Sequence, residues 1–361
     1  MAKERIRVLI SAPSLSVNKT VSGISAVVSS IIENVQDVEF FHLKAGRSDH
    51  DFFGIVGTLT FLINVLRFPF IINKHQIDIY HQNLPLNTKA IIREYVFNRL
   101  ATLCKLPVLL HIHGGRFIKE KPASKLLYLM TSRLLKGSRV VVVLNKFEQG
   151  QLLTLYNCQT RVLGNAIDLN KFSLKQQLQS YKTPQFIFLG RLHESKGLHE
   201  ILEAFKELHK KYSFRFCLCG AGPQEKYFTK QFENELKDDF IFKGVVSGDE
   251  KLKAIQLSDY FVLPSYSEGL PISLLETMSC GLIPIVSDDE SLSLIVEHRV
   301  NGIVVKKKSS TDLKRKIEEL LNMSMEDRIV LAQNARATIE KSYDISVYVK
   351  NIKKSYKELI K

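Results

Sequence analysis

Apolar residues in the first half of the chain cluster in short runs that are separated by longer segments of helical pattern. The runs are apolar at nearly every position, which is typical of parallel strands covered by helices on both faces. Between them, Thr88–Leu103 and Ser124–Leu135 have the length and the 3.6-residue apolar spacing of crossover helices. The pattern predicts a doubly wound α/β sheet. Its candidate strands are 6–12, 38–43, 77–82, 108–113, 140–144 and 160–164.

A second series of the same kind follows a polar stretch, 168–184, that is rich in Gln, Lys and Ser. Its candidate strands are 186–190, 214–220, 240–246, 260–265, 283–287 and 302–306. Because open α/β sheets bind ligands beyond the carboxyl ends of their strands, we expect two Rossmann-like domains that face each other across a cleft. The expected boundaries are 1–167 for the first domain, 168–184 for the connection, 185–342 for the second domain, and 343–361 for a C-terminal helix that can pack back on the first domain.

The longest apolar stretch, 52–72, reaches the ~20 residues that a bilayer crossing needs. Asn64, Arg67 and Pro69 interrupt it, and the hydrocarbon core of a membrane offers such polar groups no partner. The sequence therefore favours an amphipathic or largely buried helix over a membrane span.

The composition is that of an ordinary globular protein, because 45% of the residues are hydrophobic and 24% are charged. The five cysteines are an odd number without a C-x-x-C pair, so neither a disulfide framework nor a structural zinc site is indicated. The first residues also lack the apolar core of a signal peptide. These features favour a cytoplasmic location.

The net charge of +14 is concentrated in the first half of the chain. Residues 1–180 hold 23 basic and 11 acidic side chains, whereas residues 181–361 hold 28 and 26. Such a field attracts nucleic acid, anionic lipid head groups or a phosphorylated substrate. A nucleic-acid-binding protein is the alternative that the charge alone suggests. We expect no nucleic-acid partner, because the chain lacks RNP-type aromatic motifs, zinc-finger spacing and a recognisable helix-turn-helix.

The sharpest group of candidate functional residues follows the apolar run 260–265. A loop with Glu268 and Gly269 leads to Pro271, which suits the first position of a helix, and Glu276 lies inside that helix. A helix start offers unpaired N–H groups and the positive end of the dipole, so it can bind an anion such as phosphate. Since the charge of Glu276 cannot attract phosphate, we expect this residue to accept hydrogen bonds from sugar hydroxyls.

A second group of candidate residues follows the run 186–190. Arg191 comes directly after Gly190 and can bind phosphate oxygens with its planar guanidinium group. Lys196 follows in the same loop, just before Gly197. Together, two such charges could neutralise a diphosphate leaving group.

The ordered motifs GRLHESKG, LCGAGP, FKGVV and PSYSEGLPISLLETMSCGLIPIVSD resemble the donor-binding domain of the retaining family-4-type glycosyltransferases, the glycosyl transferases group 1, which have the GT-B fold. The spacing of Glu268 and Glu276 is similar to the E-x7-E motif of that family. In the first half, SGI, HIHGG, LNKFEQ and LGNAIDLNKF follow the family's order more loosely. The resemblance covers nearly the whole chain.

This resemblance implies that the second domain binds a nucleotide sugar. Arg191 and Lys196, beside Gly190, would hold the diphosphate, and Glu276 would bind the ribose. The nucleotide base would face the backbone of Lys243, Gly244 and Val245. The donor sugar and phosphate would contact Glu268 and the backbone of Gly269, Leu270, Pro271 and Ile272.

The resemblance makes the first domain the acceptor-binding one. His113 would lie beneath the donor sugar, and Gly23 would let a loop approach the diphosphate. Family members usually have a Gly-Gly pair there, whereas this chain has Ser22-Gly23. His113 is also favoured by its position, because a Gly pair follows it at the carboxyl end of a strand. The candidate catalytic residues are His113, Glu268, Arg191 and Lys196.

We expect neither a cofactor nor a metal ion. The D-x-D sequence from Asp49 to Asp51 lies in a polar segment and is interpreted as a solvated turn. The basic residues and the helix dipole already supply the leaving-group stabilisation for which Mg²⁺ is otherwise used.

The sequence therefore predicts a retaining glycosyltransferase that moves a sugar from a nucleotide diphosphate sugar to a hydroxyl of a saccharide acceptor. A nucleotide-sugar epimerase of similar fold is the alternative. The charge of the first half and the apolar stretch 52–72 further predict an acceptor presented at an anionic membrane surface. Such an acceptor would be a lipid-linked saccharide of bacterial cell-envelope polysaccharide synthesis (O-antigen, capsule or exopolysaccharide), with the enzyme peripheral at the inner face of the cell membrane.

Overall fold

The computed structural model describes residues 5–16, 22–46, 55–174 and 183–361. The chain forms two compact units, of which the first is Met1–Asn165 with Ile345–Lys361 and the second is Ala166–Asp344. The sequence placed these limits at 167 and 342 and assigned 168–184 to a connection. In the structure, Phe172 belongs to the second unit, where its carbonyl accepts a hydrogen bond from Nη1 of Arg336 at 2.7 Å. Asp49 and Asp51 lie outside the described residues.

The first unit contains a parallel sheet of six strands in the order β2-β1-β3-β4-β5-β6. Its elements are β1 (Ile6–Ala12), α1 (Gly23–Asn34), β2 (Val38–Lys44), α2 (Ile55–His75), β3 (Ile79–Leu84), α3 (Thr88–Leu103), β4 (Val108–Ile112), α4 (Arg116–Lys119), α5 (Lys125–Gly137), β5 (Val140–Val143), α6 (Lys146–Tyr156) and β6 (Arg161–Val162). The connection from β1 leads to β2, towards one edge of the sheet, and the connection from β3 leads to β4, towards the other edge. The topological switch point therefore lies between β1 and β3.

Helices α2, α3 and α5 lie on one face of this sheet, because the crossovers from β2 to β3, β3 to β4 and β4 to β5 run in the same direction and such crossovers are right-handed. Phe68 of α2 is fully buried, with its ring centroid 5.2 Å from that of Tyr80 and 5.5 Å from that of Phe97. Helix α2 thus confirms a helix in the apolar stretch 52–72. No helix among the described residues has the length and hydropathy needed to cross a bilayer.

The second unit contains a parallel sheet in the order β12-β11-β10-β7-β8-β9. Its elements are β7 (Gln185–Leu189), α7 (Leu198–Leu208), β8 (Arg215–Cys219), α8 (Glu225–Leu236), β9 (Phe240–Gly244), α9 (Gly248–Gln256), β10 (Tyr260–Leu263), α10 (Ile272–Ser279), β11 (Ile283–Ser287), β12 (Ile303–Val305), α11 (Ser310–Leu321) and α12 (Met325–Ser342). The switch point lies between β7 and β10. Buried phenylalanines fill the core beside these strands, among them Phe186, Phe205, Phe214 and Phe216.

The final helix, α13 (Ile345–Leu359), belongs to the first unit. Lys353 of α13 forms an ion pair with Asp37 at 2.5 Å, and Glu358 forms one with Arg161 at 2.5 Å. The helix also buries Tyr356 against the sheet. These contacts attach the end of the chain to the first unit.

The two doubly wound sheets confirm the predicted α/β class. The strands match their predicted ranges within two residues at each end, and β3 is shifted as a whole, to two residues later than 77–82. The predicted strand ended at Gln82 because a second polar residue, Asn83, follows it. In the fold both are buried and paired, Gln82 with Glu94 and Asn83 with Ser11. The predicted cleft between the domains stays a prediction.

Candidate functional site

The candidate residues of the second unit lie in two loops at the switch point of its sheet. One loop follows β7 and the other follows β10, and these strands are neighbours. The backbone N–H of Tyr266 in the second loop donates to the carbonyl of Ser195 in the first at 2.9 Å. A Cβ atom on Gly197, whose φ is +76°, would lie 2.3 Å from the carbonyl oxygen of Pro264. Glycine at this position therefore lets the two loops meet.

An ion pair joins the two loops directly. Nζ of Lys196 lies 2.6 Å from Oε1 of Glu268, and the side chains are only 25% and 9% exposed. The sequence identified both residues as contacts of the donor but did not foresee that they contact each other. A bound diphosphate would compete with Glu268 for the ammonium group of Lys196.

Glu276 lies on α10 and is buried, as its side chain is only 7% exposed. Burial raises the pKa of this carboxyl group, and the nearby charge of Lys251 opposes that rise. Nζ of Lys251, on α9, lies 2.5 Å from Oε1 of Glu276. The sequence analysis missed Lys251, because no local pattern connects it with a residue that is 25 positions away.

Further donor-binding candidates of the second unit lie at the ends of β7 and β9, on either side of β8. The N–H of Gly190 donates to Cys219 at 3.1 Å, and the N–H of Gly220 donates to Gly244 at 2.6 Å. A Cβ atom on Gly220 would lie 1.8 Å from the carbonyl oxygen of Gly190, so this strand end tolerates only glycine. Beyond these ends, the side chains of Arg191, Lys243 and Val245 are exposed.

The sequence suggested that Pro271 is the first residue of helix α10. The helix begins at Ile272, so Pro271 is its N-cap instead. Its φ of −66° suits either position, which is why the sequence could not place the start to within one residue. Pro271 has no side-chain acceptor for the N–H groups of the first turn. Its neighbours Gly269 and Leu270 complete the loop that leads into the helix, and Leu270 is buried.

In the first unit, three histidines lie on the neighbouring strands β3 and β4 and just beyond them. Nε2 of His81 is 3.4 Å from Nδ1 of His111, and the ring centroids of His111 and His113 are 4.2 Å apart. Burial holds the pKa of His81 and of His113 well below the ordinary value, with a further contribution from the neighbouring histidines, and it lowers the pKa of His111 to about 3. All three imidazole rings are therefore neutral at neutral pH.

Asn83 determines the tautomer of His113. Its Nδ2 donates to the carbonyl of Ser11 at 3.0 Å, which leaves Oδ1 as the acceptor for Nε2 of His113 at 2.9 Å. Nε2 of His113 therefore carries the proton, and Nδ1 keeps its lone pair. The sequence analysis missed Asn83, which it had taken as the residue after a strand.

Gly23 is the first residue of α1, and the side chain of Ser22 accepts a hydrogen bond from the N–H of Ser25 at 3.5 Å. A Cβ atom on Gly23 would meet no atom within 4 Å among the described residues. Internal packing therefore does not require glycine here. Within the described residues, no group of three or more His, Cys, Asp or Glu side chains could hold a metal ion.

Residues 170–338, which contain both loops and Glu276, match the family model of the glycosyl transferases group 1. This segment of the chain is therefore similar to the glycosyl transferases group 1. One relative, the UDP-Gal:alpha-D-GlcNAc-diphosphoundecaprenol alpha-1,3-galactosyltransferase of Escherichia coli, is 26% identical over 312 residues, which cover 80% of this chain and 78% of the relative. The N,N'-diacetylbacillosaminyl-diphospho-undecaprenol alpha-1,3-N-acetylgalactosaminyltransferase of Campylobacter jejuni is 32% identical over 184 residues, which cover 50% of this chain and 46% of the relative.

Solved structures agree with this assignment at the level of the fold. The sucrose-phosphate synthase of Thermosynechococcus elongatus matches with a TM-score of 0.81 and 18% identity, over 98% of this chain and 99% of that chain. The two six-stranded units therefore have the GT-B fold. The family match over residues 170–338, together with the glycosyltransferase relatives, makes the chain a glycosyltransferase.

Proposed function

We propose that this glycosyltransferase moves a sugar from a nucleotide diphosphate sugar to a hydroxyl of a saccharide acceptor, with retention at the anomeric carbon. The observation that carries the proposal is the meeting of two loops at the switch point of the second sheet. One loop supplies Arg191 and Lys196, and the other supplies Glu268 and leads into the helix that holds Glu276. Cations for a diphosphate and a buried carboxylate for ribose hydroxyls thus occur on one edge of one sheet.

The departure of the nucleoside diphosphate needs stabilisation of negative charge. Arg191 and Lys196 provide full positive charges, and the start of α10 provides the positive end of a helix dipole. These groups support transfer without a metal ion or another cofactor. We expect full activity in the presence of a chelator, and a loss that added Mg²⁺ restores would contradict this part of the proposal.

The first unit is proposed to bind the acceptor, with His113 in contact with the donor sugar. A neutral imidazole whose Nε2 proton is donated to Asn83 suits an uncharged sugar better than a phosphate, because its Nδ1 lone pair can accept from a sugar hydroxyl and the ring has no net charge. The names of the Escherichia coli and Campylobacter jejuni relatives both contain a diphosphoundecaprenol-linked sugar. A lipid-linked saccharide of bacterial cell-envelope polysaccharide synthesis is therefore the acceptor that we propose.

The test is incubation with a panel of nucleotide sugars, first without an acceptor and then with lipid-linked saccharides. Slow hydrolysis of one donor identifies the base and sugar, and transfer to a lipid-linked acceptor identifies the second substrate. The product of an α-linked donor should be α-linked, and a β-linked product would exclude retention. Interconversion of free nucleotide sugars without any acceptor would instead support an epimerase.

A lipid-linked acceptor requires access to a membrane, and one face of the first unit supports peripheral attachment. The apolar side chains of α2 form two stripes, of which one packs in the core through Phe68. The other stripe is exposed, with Leu66 at 79% and Phe70 at 64%. It also contains Leu59, Leu62 and Ile63, which are 43% to 56% exposed.

The charge of the same face favours anionic lipid. Helices α2, α3 and α5 carry the exposed basic residues Arg67, Lys74, Lys89, Lys125, Arg133 and Lys136. Over the described lengths of these three helices, the only carboxylate is that of Glu94, which is buried. Each basic residue near an anionic membrane contributes about 1 kcal/mol, and apolar side chains inserted among the head groups add to this. We therefore propose a peripheral enzyme on the cytoplasmic face of the cell membrane.

Sedimentation with vesicles tests this attachment. The protein should pellet with vesicles that contain phosphatidylglycerol and remain in the supernatant with neutral phosphatidylcholine vesicles, and high salt should reduce the difference. The double variant Leu66→Glu with Phe70→Glu should lose binding. Val330→Glu is the matched control, because Val330 is 52% exposed on α12 of the second unit. Equal recovery in the supernatant with both kinds of vesicle, at low and high salt, would exclude the attachment.

A further inference from the structure

Among the described side chains, Lys251 is the charged group that forms a hydrogen bond with the buried carboxylate of Glu276. Oε1 accepts from Nζ of Lys251 at 2.5 Å, whereas Oε2 accepts no hydrogen bond from any side chain that the structure describes. The carboxylate thus has one oxygen that is held and one that is available. A nucleotide ribose offers two neighbouring hydroxyl donors to such a group.

Lys251 is itself held in place. It lies on α9, its side chain is 25% exposed, and its ammonium group also lies 5.7 Å from the ring centroid of Phe172. The carbonyl of Phe172 is bound in turn by Arg336, whose Nη1 also donates to the carbonyl of Ser279 at 2.5 Å. The ammonium group therefore has a carboxylate on one side and an aromatic face on the other.

The other titratable groups around Glu276 do not replace this charge. Cys280, just beyond α10, has its pKa raised to about 11 by burial and is neutral at neutral pH. Arg336 of α12 uses Nη1 on two carbonyl groups and Nε on Glu340. Lys251 is the one cation whose side chain is bonded to Glu276 among the described residues.

We propose that Lys251 is a positioning residue for donor binding, which holds Oε1 of Glu276 so that the ionised carboxylate presents Oε2 to the ribose hydroxyls of the nucleotide. This inference rests on the proposed function of the second unit. An ionised carboxylate accepts hydrogen bonds with both oxygens. A protonated carboxyl group has one O–H donor, so the protonated oxygen no longer serves as a full acceptor for a ribose hydroxyl. Without Lys251, burial alone would favour the protonated form.

The test compares Lys251→Gln with Lys253→Gln by calorimetric titration with uridine and guanosine diphosphates, and the better ligand of the wild-type protein is then used. Lys253 is the matched control because it is on the same helix, carries the same charge and is exposed. Lys251→Gln should bind about tenfold more weakly at neutral pH. Its deficit relative to both other proteins should grow as the pH falls from about 8 to about 6, since the unpaired carboxyl group then takes up a proton.

Two further measurements separate positioning from a merely structural role. Lys251→Arg should restore most of the affinity and the pH profile of the wild-type protein. The corresponding 2′-deoxynucleotide should bind more weakly than the ribonucleotide to the wild-type protein, and this difference should shrink in Lys251→Gln. Equal affinity of Lys251→Gln and Lys253→Gln, with parallel pH profiles, would overturn the role of Lys251. Failure of the wild-type protein to bind any nucleoside diphosphate would instead overturn the proposed function on which the inference rests.

Discussion

The candidate residues of the second unit are charged, whereas those of the first unit are neutral. In the second unit, two carboxylates are each paired with a lysine, Glu268 with Lys196 and Glu276 with Lys251. In the first unit, three neighbouring imidazoles are neutral, and hydrogen bonds or ring contacts join them to one another and to uncharged partners. Full charges can exchange partners with a diphosphate, whereas neutral groups fit sugar hydroxyls without a large cost of desolvation. The comparison suggests that the second unit is suited to a diphosphate and the first unit to a sugar, and the following predictions test this difference.

The largest expected effect is a loss of stability of the first unit in acid. Burial keeps the folded-state pKa of His81, His111 and His113 below the ordinary value of 6.5, so the unfolded chain takes up protons that the folded unit does not. The stabilisation is present above about pH 6.5 and is lost as the pH falls below it, at up to ~1.4 kcal/mol per pH unit for each histidine.

Hydrogen exchange read by mass spectrometry checks this prediction. Protection of peptides from β3 and β4 should fall between about pH 7 and about pH 5 more steeply than that of peptides from β7 and β10. Strands β7 and β10 contain no histidine, so their peptides serve as the internal control. Equal loss of protection in both units would show that the histidines do not determine acid stability.

The second effect concerns the cations of the second unit. Lys196→Ala and Arg191→Ala each remove a charge-assisted contact worth ~1.5–3 kcal/mol, so each should weaken the binding of nucleoside diphosphate about tenfold or more. Glu276→Ala should weaken it as well. Glu268→Gln should act in the opposite direction, because it removes the carboxylate that competes for Lys196. Its affinity for the nucleoside diphosphate should equal or exceed that of the wild-type protein, while sugar transfer falls.

Calorimetric titration of the four variants provides the measurement. Lys210→Ala is the matched control, because Lys210 forms an exposed ion pair with Glu207 in the same unit. Unchanged affinity in Lys196→Ala, Arg191→Ala and Glu276→Ala would show that these loops do not form the donor site.

The contrast between the units also explains which residues the sequence could reveal. Glu268, Glu276, Arg191 and Lys196 lie in short motifs directly after apolar runs, so spacing and chemistry were sufficient to select them. Helix α3 was predicted with the ends that the structure shows, Thr88 and Leu103, and the side chain of Asn87 caps its start. The functional roles of these residues remain proposals, but their grouping on one sheet edge followed from strand order.

The partners of these residues could not be read from the sequence. Lys251, Asn83 and Tyr356 contact site residues only because non-neighbouring segments meet in the fold, at separations of 25, 30 and 275 positions. Polar residues at strand ends were ambiguous for the same reason. Asn83 looks like a loop residue until its buried partner Ser11 on β1 is known.

A third prediction separates donor binding from transfer. His113→Ala should lower turnover about tenfold, as expected for the loss of one hydrogen bond that strengthens in the transition state. The affinity for free nucleoside diphosphate should not change, since the proposed contact is with the sugar. His75→Ala is the control, because His75 is a partly exposed histidine of the same unit at the end of α2. A large loss of nucleoside diphosphate affinity in His113→Ala would show that the first unit also contributes to the binding of the diphosphate or the nucleoside.

The smallest effect is expected for the hydroxyl group that joins α13 to the histidine cluster. Tyr356 and Nδ1 of His81 are 2.7 Å apart, and the pKa of this buried phenol is raised well above its ordinary value, so the hydroxyl keeps its proton and can donate it to the imidazole. Tyr356→Phe keeps the ring but leaves Nδ1 of His81 without this donor, which should cost about 1 kcal/mol in the free energy of unfolding of the first unit. Urea unfolding followed by circular dichroism measures the change, with Tyr227→Phe on the exposed side of α8 as the control. Because an unpaired Nδ1 is easier to protonate, the folded variant takes up a proton that the folded wild-type protein refuses, and it therefore loses less stability in acid. The deficit of Tyr356→Phe should narrow below about pH 6, and a deficit that is constant with pH would show that the hydroxyl acts only through packing.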